Sequence, residues 1–193
     1  MRVINTSLPE VKLIEPQVFG DDRGFFFESW NDLRYREAGI KFPVMQVNVS
    51  RSAYGVLRGL HYQWPNPQGK LVSVLDGEVF DVAVDIRRGS PTFGNATAAV
   101  LSASNKRQLW VPEGFAHGFV VTSETALFHY LCSAPYDHSG DANLRWDDPA
   151  LGIDWPIRVP SLSDKDARAP LLAEVARERL PAYPLLQPGN PGA

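Results

Sequence analysis

The sequence of 193 residues contains a single cysteine, Cys132, which excludes an intramolecular disulfide and leaves stability to an ordinary hydrophobic core. No apolar run approaches the roughly 20 residues of a membrane-spanning helix, because charge or glycine interrupts each stretch within a few positions. The first ten residues, MRVINTSLPE, hold no apolar run of the signal-peptide kind, so the expectation is a cytoplasmic protein with no membrane partner. Charge of one sign is not in excess either. A net charge of −3 gives no global attraction to nucleic acid, so any anion is bound locally. Internal repeats and interior linkers are absent, which predicts one domain over residues 1–180. The remaining tail, PAYPLLQPGNPGA (181–193), is too rich in proline and glycine for regular structure.

Helical periodicity is scarce. Asn31 can cap a short helix ending at Gly39, and Pro170 can open another carrying Leu171, Leu172, Val175 and Leu180. Between residues 10 and 133 the chain consists of short β-branched and aromatic runs separated by glycine, proline, asparagine and aspartate. Strands are expected near 11–18, 24–28, 43–51, 55–63, 69–75, 78–86, 94–102, 106–111, 117–122 and 125–133. In EVFDVAVDI (78–86), Phe80, Val82, Val84 and Ile86 share one face while Asp81, Ala83 and Asp85 share the other. So many short antiparallel strands predict an all-β sandwich or barrel with a few short peripheral helices.

Polar residues recur inside strands that otherwise read as buried. Gln46, Asn48 and Ser50 share one face of VMQVNVS (44–50), and Arg58, His61, Lys70, His117, His129 and Tyr130 interrupt other apolar runs. One such strand is more simply a solvated face; the repetition points to a polar cavity between inward-facing residues. Arg58 and His61 are three apart, so they share a side only if the chain bulges, and Gly59 between them is the expected place. VPEGFAHGFVV (111–121) contains P-x-G-x-x-H, ending at His117. A lone histidine there is more often structural than functional, but the motif resembles the second cupin signature and points to a double-stranded β-helix of the cupin or jelly-roll type. In metal-binding cupins an earlier H-x-H pair and a glutamate complete the ligand set. Here that stretch is His61-Tyr62-Gln63, and Lys70 nearby opposes a cation, so no metal is expected.

Taken together, VFGDDRGFFFESWN, QVNVSRSAYGVLRGLHYQ, GKLVSVLDGEVFDVAVDIRRGSPTFG, NKRQLWVPEGFAHGF and SLSDKDARAP resemble the dTDP-4-dehydrorhamnose 3,5-epimerase family of cupin-like sugar-nucleotide epimerases. The resemblance covers residues 1 to about 168. It implies a homodimer that needs no metal or nicotinamide and acts on a dTDP-sugar in the synthesis of dTDP-L-rhamnose for polysaccharide. It also implies roles for residues. His61 is the base, Asp166 its partner and Tyr130 the proton donor. Arg23, Phe26, Glu28, Gln46, Asn48 and Arg58 stand at substrate-binding positions, as do Lys70, His117, Tyr136, Asp141 and Lys165. Asp141 stands where the family commonly has glutamate.

These residue types suit the chemistry. Protons at C3 and C5 beside a C4 ketone are acidic through the enolate, so the site needs a base working near neutral pH and a cation for the oxyanion, roles for His61 and Lys70. Three rival readings are open: an epimerase acting at C3 or C5 alone, a non-catalytic cupin-like sugar-nucleotide-binding domain, and a metal-dependent cupin enzyme.

Overall fold

The computed structural model describes residues 1–184. The chain begins with β1 (Arg2–Asn5), β2 (Lys12–Glu15) and a hairpin of β3 (Val18–Asp21) and β4 (Gly24–Phe27). After the helix α1 (Asp32–Glu37) come β5 (Gln46–Ala53), β6 (Leu57–Gln63), β7 (Lys70–Asp76), β8 (Glu78–Asp85) and β9 (Ala96–Ser102). The last strands are β10 (Gln108–Val111), β11 (Phe115–Val121), β12 (Thr125–Cys132) and β13 (Asp141–Asn143), followed by the short helix α2 (Asp164–Ala167).

The strands form two facing antiparallel sheets in the order β1-β2-β10-β7-β12-β5 and β13-β6-β11-β8-β9. From β5 to β13 the chain crosses between the sheets at nearly every step, the β8-β9 hairpin excepted. This is the jelly-roll arrangement expected of a cupin. Apolar clusters lie between the sheets and outside each of them. Val72, Val74 and Phe128 of the six-stranded sheet meet Val79, Ala83 and Phe119 of the five-stranded one in an interior core. Outside the five-stranded sheet, Val82 and Val84 pack with Leu144 and Trp155. Outside the six-stranded sheet, Tyr35, Phe42 and Trp110 close a third cluster. Toward the ends bearing Gln46, His61 and Lys70, the interior turns polar.

Two expected elements differ. The strand expected over 11–18 is two strands, because Pro16 can offer no N–H to a ladder. Asn31 does cap α1, accepting from the Arg34 N–H at 3.2 Å. The helix expected after Pro170 is instead two 3-10 turns, Leu172–Glu174 and Arg177–Arg179. Leu171 has no side-chain oxygen to cap a helix, and Leu172 and Leu180 are each drawn into the core outside the five-stranded sheet. Of the expected tail, residues 181–184 follow Arg88: its N–H donates to the Pro181 carbonyl, and its carbonyl accepts from Tyr183. Residues 185–193 lie outside the described residues. Among the described residues no helix is long and apolar enough to cross a membrane.

Candidate active site

A cavity of about 320 Å³ opens between the sheets. Its walls depend on a local fault in β6. His117 of β11 pairs with His61 and Phe119 pairs with Arg58, so the three residues 117–119 of β11 face the four residues 58–61 of β6. This is the bulge expected at Gly59, and it brings Arg58 and His61 onto the same cavity. Only glycine fits there: φ is +128°, and a Cβ would lie 2.5 Å from Gly118 Cα and 2.8 Å from the His117 carbonyl oxygen.

His61 and His117, register partners on adjacent strands, are each held by a carboxylate. His61 Nε2 lies 2.6 Å from Asp166 Oδ1, and Asp166 Oδ2 accepts from Ser163 Oγ at 2.9 Å. Asp166 comes from α2, whose cap is the same Ser163. Burial pushes the Asp166 carboxyl up, but hydrogen bonds from His61, Ser163 and the Gly59 N–H outweigh it and hold the group below 3.8. On the other side, His117 Nε2 lies 2.9 and 3.0 Å from the two oxygens of the fully buried Asp81. Burial raises the Asp81 carboxyl, while His117 and Lys70 oppose the rise.

No buried side-chain nitrogen or oxygen among the described residues lacks a partner. The Nδ1 atoms of His61 and His117, the Lys70 ammonium and the Tyr130 hydroxyl make no internal hydrogen bond. They are therefore accessible, and all four residues line the cavity. Removal from water lowers the Lys70 pKa from 10.5, partly offset by Cys132, Asp141 and Asp81. Burial raises that of the Tyr130 phenol above 10.0, and Cys132 adds to the rise while Arg58 opposes it. His61 belongs to the five-stranded sheet and Tyr130 to the six-stranded one, so they stand on opposite walls.

The polar wall of β5 is also in place. Gln46 Nε2 donates to Asn48 Oδ1 at 3.0 Å, and Gln46 Oε1 accepts from the Tyr136 N–H at 2.9 Å. Arg58 Nε donates to Ser52 Oγ at 3.1 Å. At the mouth, Asp141 accepts from the Tyr136 hydroxyl at 3.1 Å and from the Lys165 ammonium. The residue after Lys165 is Asp166, so this ion pair also fastens α2 to the rim.

Arg23, Phe26 and Glu28 do not line the cavity within one chain. The β3-β4 hairpin pairs only with itself, leaving Phe26 69% exposed and the Arg23 side chain 90% exposed beside Asp21. Glu28 is held at the start of α1 by Arg34 and Asn31. Sequence reading also missed residues. Alternation put Asp81 on the face opposite Phe80, Val82 and Val84, with no partner and no role. Ser163 carried only the signal of a helix cap. Phe119 and Phe128, stacked 4.1 Å between centroids on the cavity wall, read as plain core.

Fold and site together define a cupin-type protein with two carboxylate-held histidines, a free ammonium and a phenol around one chamber, a constellation suited to acid-base chemistry at carbon. Residues 5–174 match the dTDP-4-dehydrorhamnose 3,5-epimerase family, and the chain belongs to it. It is 56% identical to the dTDP-4-dehydrorhamnose 3,5-epimerase of Salmonella typhimurium over 175 residues, 89% of this chain and 96% of the relative. The Pseudomonas aeruginosa enzyme of that name is 54% identical over 90% of this chain and 97% of its own. Among solved structures, the Legionella pneumophila 3,5-epimerase in complex with dTDP-4-keto-L-rhamnose superposes with a TM-score of 0.92 at 54% identity, covering 94% of this chain and 98% of that one. A 3'-monoepimerase from Streptomyces bikiniensis in complex with dTDP-quinovose gives 0.87 at 37% identity, covering 93% and 92%.

Proposed function

We propose that this chain is a cytoplasmic, cofactor-independent isomerase that inverts C3 and C5 of dTDP-4-dehydro-6-deoxy-D-glucose to give dTDP-4-dehydro-L-rhamnose. The observation that carries the reading is the placement of His61 and Tyr130 on facing sheets with the cavity between them. Inversion needs a proton taken from one side of the sugar and returned to the other, and two groups on one wall could not do this.

His61 Nδ1 removes the proton beside the ketone. Asp166, bound to Nε2, fixes the tautomer and stabilises the imidazolium that results. The electron pair moves into the C4 oxygen, and Lys70 donates to the enolate, in a site sheltered enough for such a contact to supply about 3 kcal/mol. Tyr130 then returns a proton from the opposite wall, its buried phenol still carrying that proton at neutral pH. Arg58, Lys165 and the polar wall of β5 bind the rest of the sugar nucleotide, with Tyr136 at the mouth beside the base.

The homodimer belongs to the same reading. β5 is a sheet edge, Val47 and Val49 on its outer face are exposed, and the hairpin presents Phe19, Phe25 and Phe26 to solvent. A second copy covering these surfaces, with its hairpin at the cavity mouth, gives Arg23 and Phe26 a substrate to meet.

A narrower reading, inversion of one centre only, is favoured by the likeness to the 3'-monoepimerase. Proton NMR of the product from dTDP-4-keto-6-deoxyglucose separates the two. Coupling constants and cross-relaxation consistent with inversion at both centres are expected; one inverted centre supports the narrower enzyme, and unchanged substrate rejects both.

A further inference from the structure

The mechanism above leaves Asp81 without a task. It lies on β8, an inner strand of the five-stranded sheet, with 0% exposure, on a face where its neighbours Val79 and Ala83 are apolar core. An ionised carboxylate is costly in such a place unless it is paired, so an apolar residue would serve a purely structural need as well or better. Its hydrogen-bond partner among the described residues is His117, through both oxygens. His117 is the register partner of His61, so its ring stands beside the base, deep between the sheets.

The two histidines are therefore held alike. Each gives Nε2 to an aspartate, Asp166 from α2 or Asp81 from β8, and each keeps Nδ1 for the cavity. We infer that Asp81 is a positioning residue: by accepting Nε2–H it stabilises a charged His117 ring and aims Nδ1–H at the negative oxygen formed next to the ketone carbon. This deepens the epimerase reading and rests on it. His117 acts at the reacting sugar rather than at the diphosphate, and it works as a hydrogen-bond donor with no net transfer of a proton. Lys70 supplies the corresponding donor from the opposite sheet, and Asp81 lies near enough to interact electrostatically with both cations.

Two measurements test this. In the intact enzyme, nitrogen-15 NMR of the His117 ring, assigned by its loss in His117→Gln, should show both ring nitrogens protonated at neutral pH. A neutral ring in either tautomer overturns the inference, whether or not any Asp81 variant folds. Separately, Asp81→Asn should lower kcat about 10 to 100-fold, the scale known for carboxylates that orient metal-bound histidines, with dTDP affinity within about threefold of wild type. Because Asp81 acts through His117, the double variant Asp81→Asn/His117→Gln should be no slower than His117→Gln alone. Losses that multiply, or an Asp81→Asn enzyme with wild-type kcat, overturn it. Wild-type turnover of the 4-keto sugar nucleotide is measured alongside: its absence sinks the epimerase reading, whereas normal turnover with multiplying losses sinks only the role of Asp81.

Discussion

His61→Asn should lose turnover by about 10²- to 10⁴-fold, the usual worth of a general base, while dTDP affinity stays within about threefold of wild type. The asparagine keeps a polar group facing Asp166, so the pocket is not left with an unpaired buried carboxylate. What disappears is the ring nitrogen that faces the cavity as a base and is backed, through Nε2, by Asp166. Because Asp166 is held below 3.8, its charge is present throughout the neutral range and is lost only as pH falls through that lowered value. The stability contributed by the His61-Asp166 contact follows the same sign: present above the ordinary carboxylate range, lost in acid. A single-turnover assay with thermal melting as control checks the prediction. If the variant turns over at the wild-type rate, the base lies elsewhere and the assignment built on the resemblance falls with it.

The second large effect is on the backbone. Gly59→Ala should destabilise the protein by about 3–5 kcal/mol, read as a lower urea midpoint at unchanged slope. Two costs combine. Residue 59 sits at a φ of +128°, which L side chains rarely adopt, and the new methyl would meet backbone atoms of Gly118 and His117 at 2.5 and 2.8 Å. Neither neighbour is the loose end of a flexible side chain. Relief requires β6 and β11 to move apart, which would also separate His61 from His117, so activity should fall together with stability. A variant within 1 kcal/mol of wild type would show that the bulge is soft and that Arg58 and His61 do not depend on it.

Much of this architecture was legible because strand alternation is local. Phe80, Val82 and Val84 against Asp81 and Ala83, the polar face of Gln46 and Asn48, and the bulge at Gly59 are all written within a few residues. The helix cap at Asn31 is of the same kind. What depends on distant packing was not legible. Asp81 reads as a solvent-facing charge unless β8 is known to be covered on both sides. Three consecutive phenylalanines, Phe25 to Phe27, suit a core or a binding face equally well, and nothing local shows that their hairpin joins no sheet within its own chain and leaves Arg23 and Phe26 outside the cavity. The Asp141-Lys165 pair spans 24 residues and forms only because α2 folds back over β13. The apolar spacing after Pro170 suggested one helix, but contacts to the core at Leu172 and Leu180 divide it into two turns.

The central claim is that one chamber both removes and returns hydrogen at the carbons flanking the ketone. Running the reaction in deuterated water and locating the label in the product by NMR tests this most directly. Deuterium at both C3 and C5 in wild type, with incorporation nearly abolished in His61→Asn, is the expected outcome. Product whose C3 and C5 hydrogens came entirely from the substrate, with no solvent label at either carbon, would contradict it.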